Sequence, residues 1–136
     1  MGRDSYDGIQ LSRCRAKDHT GNWVYGNHVF IMEGSGEEHC IWDSYNNIGI
    51  PIDIDTLCRF TGWKDDEGKD IYEYDVFMRQ SYWEWYVVFV DGAFRRVPCY
   101  SVQKFNWDWY PLESNSDFKN WINVGNAIDN PKLINR

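Results

Sequence analysis

The sequence predicts a mainly β fold: a small barrel-like or sandwich domain of antiparallel hairpins, with at most short helical turns. Three observations carry this. Aromatic and β-branched runs recur along the chain, Gly, Asn and Asp turn signals separate them, and only one short segment offers a helix start. The chain has 136 residues, 43 % hydrophobic and 18 % aromatic. That suffices for a single domain over residues 1–136 with a core that needs no staples.

The elements follow in order. Trp23–Met32 (WVYGNHVFIM) is aromatic and β-branched, with Thr20-Gly21-Asn22 as turn punctuation before it. Glu33–Glu38 (EGSGEE) is a polar, Gly-rich loop. Cys40–Asp43 starts a second strand, and Tyr45-Asn46-Asn47 turns back into Ile48–Ile52. Asp53–Phe60 is the one segment expected to form a helical turn, because Asp53 or Asp55 could accept an orphan amide proton at its start. Asp65–Gly68 is expected to be an exposed reversal, with Gly68 supplying a positive φ. In Lys69–Met78, Ile71, Glu73, Asp75 and Phe77 point one way, and Tyr72, Tyr74, Val76 and Met78 point to the core. Trp83–Val90 is the most β-prone run, and Asp91-Gly92 turns it into Ala93–Val97. Tyr100–Pro111 is ambiguous, Leu112–Lys119 is a loop, and Trp121–Val124 is the last strand.

Three segments carry a family resemblance. Phe60–Asp75 (FTGWKDDEGKDIYEYD) resembles the signature of the YopX-like family of phage and prophage proteins, F/Y-T-G-L-K-D-x-N-G-K-E-I-Y-E-G-D. The matching positions are Thr61, Gly62, Lys64, Asp65, Gly68, Lys69, Ile71, Tyr72, Glu73 and Asp75. Arg15–Val29 resembles the family's opening R-G-K-x-x-x-x-G-x-W-V-Y-G. Gly125–Leu133 resembles its closing G-N-I-x-E-N-P-E-L, through Gly125, Asn126, Asn130 and Pro131. Ala16, Glu67 and Tyr74 depart from the family's Gly, Asn and Gly, and Trp63 replaces an aliphatic residue. The resemblance implies a phage or prophage accessory protein without an established biochemical activity, and suggests homo-oligomerisation.

Charge narrows the partners. A net charge of −7 opposes duplex DNA and anionic lipid, both of which are held by Lys and Arg. Arg13–Lys17 and Arg95-Arg96 are the dense basic candidates. No apolar run approaches membrane-spanning length and no secretory signal is visible, so the expected location is the cytoplasm of a bacterial host. Four widely spaced cysteines without a C-x-x-C pair read as free thiols.

Catalytic and metal-binding patterns are thin. Glu73 and Asp75 could act as an acid–base pair, but a solvated strand face is the plainer reading. Asp65, Asp66 and Glu67 begin like a calcium loop that fails at Lys69. Adjacent His39 and Cys40 lack the second ligand pair of a structural zinc site. Neither metal nor cofactor is expected. The eight tryptophans suggest either core and interface or a stacking platform. Trp83, Trp85, Arg95, Arg96, Trp107 and Trp109 are the candidate binding residues, although Glu84 and Asp108 interrupt the aromatics and disfavour nucleic acid. The expectation is a non-enzymatic protein that contacts itself or another host or phage protein. The alternatives are a nucleic-acid-associated β-barrel and a small enzyme using the carboxylate pair.

Overall fold

The computed structural model describes residues 13–34, 36–79, 83–99 and 110–134. The chain is mainly β, with two antiparallel sheets, and the longest helical piece among the described residues is a four-residue 3-10 turn, Asn115–Phe118. The chain divides into two compact units, Met1–Phe60 and Thr61–Arg136.

The first unit holds β1 (Arg13–Asp18), β2 (Trp23–Glu33), β3 (Gly36–Asp43) and most of β4 (Ile48–Lys64). Each strand pairs antiparallel with the next, and β4 then pairs with β1, so the four strands close on themselves. Side-chain oxygens form the turns. Asp18 Oδ1 accepts from the Thr20 and Asn22 amides at 2.9 and 3.0 Å, and Asp43 Oδ1 does the same for Tyr45 and Asn46. These hydrogen bonds hold both carboxyls below their ordinary range; the largest causes are the Thr20 hydroxyl for Asp18 and the Asn46 side chain for Asp43. Asn47, at φ 59, completes the expected Tyr45-Asn46-Asn47 reversal.

Asp53–Phe60 is not a helical turn. It lies inside β4, which pairs with Cys40–Asp43 of β3 over Ile48–Pro51 and then with β1 over Ile52–Asp53 and Cys58–Arg59. The intervening residues bulge. Thr56 Oγ1 fills the gap, accepting from the Lys17 amide at 2.8 Å and donating to the Asp53 carbonyl at 2.6 Å. Asp53 does accept from the Asp55 amide, as an N-cap would, but pairing with β1 and burial of Ile52 and Cys58 override local propensity. Arg13–Lys17, expected as a basic patch, is the strand β1. Its even positions, Cys14 and Ala16, enter a core with Ile41 and Ile52.

In the second unit, β6 (Asp75–Arg79), β7 (Trp83–Val90), β8 (Ala93–Pro98), β9 (Tyr110–Pro111) and β10 (Ile122–Asn126) form a sheet in the order β10-β6-β7-β8-β9. β5 (Asp70–Tyr72) is hydrogen-bonded to β4. The β7–β8 hairpin turns on Asp91 and Gly92 at φ 54 and 79, as expected for a two-residue loop. Both sheet faces are packed. Ile71, Phe77, Trp85, Val87, Leu112 and Phe118 form one cluster; Val76, Tyr86, Val97 and Cys99 form another. The single-faced alternation expected over Lys69–Met78 therefore fails. A turn at Glu73-Tyr74 divides the segment, and a sheet covered on both sides needs no polar face. The four thiols are free and buried.

Gly26 is required by space. A Cβ there would lie 2.8 Å from the Trp42 carbonyl oxygen and 3.1 Å from Ile41 Cγ2. Gly26→Ala is expected to destabilise by about 1–3 kcal/mol, the usual cost of overpacking. Gly36→Ala, with open space around its Cβ, is expected to change little. Chemical denaturation of both variants checks this.

Candidate functional site

The central motif builds backbone geometry. Thr61 Oγ1 donates to the Ile71 carbonyl at 2.8 Å and accepts from the Trp63 amide at 3.1 Å. Between these residues Gly62 takes φ 89, open to glycine and strained for other residues. The following reversal is exposed, with Gly68 at φ 81, as expected. Asp65 Oδ1 accepts from the Glu67 and Lys69 amides, both at 2.9 Å. The turn is also anchored. Asp66 Oδ2 accepts from the Asn120 amide at 2.8 Å, and Asn115 Oδ1 from the Lys64 amide at 2.9 Å. Lys64 pairs with Asp70.

Glu73 and Asp75 do not form a solvated strand face; both are buried. Asp75 Oδ2 accepts from the Tyr72 amide at 2.9 Å and closes the turn between β5 and β6. Tyr74 occupies φ 70, which accounts for the glycine expected there. Its ring stacks on Tyr86 with centroids 6.3 Å apart.

The closing motif meets this turn. Asn126 pairs with Asp75, and the Ala127 amide donates to the Tyr74 carbonyl at 2.9 Å. Asn126 and Asp129 exchange two further hydrogen bonds, and Asn130 and Pro131 begin a 3-10 turn over Pro131–Leu133. In the opening motif, the Arg15 guanidinium lies 4.6 Å and the Lys17 ammonium 4.8 Å from the Trp23 ring.

Two surfaces remain as candidates. In the second unit, arginines and aromatics alternate across the sheet. Arg79 of β6 lies 4.3 Å over Trp121, which meets Trp85 of β7 edge-on at 5.2 Å. Arg96 of β8 lies 5.7 Å from Trp85 and 5.1 Å from Tyr110 of β9. The structure thus brings Trp85 and Arg96 together, with Trp85 buried in the core and Tyr110 56 % exposed. Arg95 donates instead to the Val90 carbonyl at 3.1 Å. Trp83 opens β7, while Trp107 and Trp109 lie outside the described residues. Arg79, Tyr110 and Trp121 were missed by sequence reasoning, because only the order β10-β6-β7-β8-β9 makes them neighbours.

The other surface belongs to the first unit. β1 pairs with β2 as far as Asn27, and β4 pairs with β3 from Cys40 onward. Among the described residues, the rest of β2 and β3 is a two-stranded arm. His28, Phe30 and Met32 share one of its faces. Phe30 is 56 % and Met32 73 % exposed. His28 Nε2 and His39 Nδ1 are 2.9 Å apart, and the Phe30 ring centroid lies 4.5 Å from that of His39. Partial burial, and then the neighbouring His39, lowers the His28 pKa.

An antiparallel β protein whose recurring motifs are turns and bulges is thus defined. The chain belongs to the YopX protein family: residues 13–135 match its model, which covers nearly the whole chain. No curated protein matches it.

The Asp66–Asn120 hydrogen bond makes a distinction within the reversal. Asp66→Ala is expected to lose about 0.5–1.5 kcal/mol, the net worth of one such bond. Glu67→Ala, which removes a side chain 78 % exposed and with its carboxylate 3.8 Å from the Lys69 ammonium, is expected to be within about 0.5 kcal/mol of neutral. Denaturant midpoints of the two variants read the difference.

Proposed function

We propose that this protein is a non-enzymatic accessory protein of a phage or prophage, acting by protein–protein contact in the cytoplasm of the bacterial host. One observation carries the contact reading: the face of the β2–β3 arm, where Phe30 and Met32 stand exposed beside the histidine pair. Large apolar side chains grouped in water mark interaction sites. The partner surface is then an apolar pocket that receives Phe30 and Met32. Affinity capture from lysogenic cells tests this. The wild-type protein is expected to retain a partner that Phe30→Ser with Met32→Ser loses, while a Tyr110→Ser variant retains it. Equal capture by all three overturns the arm as the contact.

The arginine–aromatic series across β6–β9 favours a second reading, binding of a single nucleic-acid strand. Stacking of bases on exposed rings beside arginines is the mode it would use. The net charge of −7 weighs against it. Fluorescence anisotropy with a labelled oligonucleotide decides between them. The first reading expects no binding at physiological salt. Salt-sensitive binding that Arg96→Gln weakens would establish the second.

A further inference from the structure

We infer that His28 and His39 form a chelating site for a divalent transition-metal ion of the zinc, nickel or copper class. The sequence separates these histidines by eleven positions, and hairpin pairing brings them together. Phe30 pairs with His39 and His28 with Ile41, so the two histidines are diagonal neighbours across β2 and β3. Their nitrogens, Nε2 of His28 and Nδ1 of His39, face each other at 2.9 Å. The ring centroids are 5.1 Å apart and the planes differ by 14°. With that nitrogen separation the rings lie edge to edge.

Both facing atoms are imidazole nitrogens, a preferred donor type for zinc, nickel and copper. Two Zn–N bonds of about 2.0–2.1 Å near the tetrahedral angle hold their nitrogens about 3.3 Å apart. The pair must open by a few tenths of an ångström, and each ring must swing off the line joining the nitrogens. His28 and His39 are only half-buried, so the ion can enter from solvent. In the free protein one of the two facing nitrogens carries the shared hydrogen. On metal binding that hydrogen leaves the facing nitrogen and the same ring takes one at its outer nitrogen. Both imidazoles stay neutral, each ligating nitrogen offers a lone pair, and no net proton is released. The remaining coordination positions belong to water or to the same pair on a second copy of the chain.

This inference does not depend on the contact proposed for Phe30 and Met32, and its test is separate. Zinc chloride is titrated into the full chain by calorimetry near neutral pH, with sedimentation alongside. The wild type is expected to bind saturably, with one ion per chain if water completes the shell or one per two chains with dimer formation if a second copy does. His28→Gln and His39→Gln are each expected to weaken binding by about tenfold or more, since loss of even an outer partner of a ligand costs that much. His19→Gln, in the β1–β2 turn, is expected to bind as the wild type does. Independently of any substitution, the 15N resonances of His28 Nε2 and His39 Nδ1 are expected to shift on zinc addition. Failure of the wild type to bind saturably overturns the inference. So does binding that survives both histidine substitutions, as ligation by the thiols would, or unchanged ring resonances.

Discussion

β4 is the constraint on which the rest of the structure depends. One strand of 17 residues serves β3, then β1, then β5. A strand has two edges, and a twisted one drifts away from each neighbour along its length. β4 passes from β3 to β1 between Pro51 and Ile52, and its ladder to β1 is then interrupted. At Thr56 a hydroxyl takes over from the backbone so that β1 can close the first unit. At Thr61-Gly62 a second hydroxyl spans to Ile71, and a glycine takes a conformation other residues resist. Without the first interruption, pairing to β1 could not recover register at Cys58.

Several residues that carry the family resemblance lie at such irregularities: Thr61, Gly62, Asp65, Gly68, Asp75, Gly125 and Asn126 are at a bulge, a reversal or a strand end. The central and closing segments are joined by the hydrogen bond from the Ala127 amide to the Tyr74 carbonyl. Function is better sought where the motifs leave the surface unassigned.

Local chemistry was legible in the sequence, and long-range register was not. The Asp91-Gly92 hairpin, the Tyr45-Asn46-Asn47 turn and the glycine reversal at Gly68 follow from residues within four positions of one another. Asp53–Phe60 misled because its Asp residues do form a local turn, yet the decisive partner, Lys17, is 39 residues away from Thr56. The strand in Arg13–Lys17 was readable: Cys14 and Ala16 alternate with three basic residues, and charge drew attention from that alternation. Burial of Asp75 was hidden because its hydrogen bond to Tyr72 presupposes the turn it makes. The histidine pair and the arginine–aromatic series need cross-strand register and strand order, which no local pattern supplies.

The β2–β3 arm also sets how the first unit loosens. Residues in the closed part of the sheet have a strand on either side, so freeing one means breaking two ladders. The arm is held by a single ladder between its own two strands, among the described residues. A lone two-stranded ribbon is marginal in water. Opening can therefore begin at the tip and stop at Asn27 and Cys40, where β1 and β4 take hold. Amide hydrogens beyond those two residues would exchange with solvent through this fraying, while those of Cys14, Ala16 and Ile41 would wait for opening of the whole unit. Among the described residues, the arm is thus the part of the first unit that opens first, while the ring behind it stays folded.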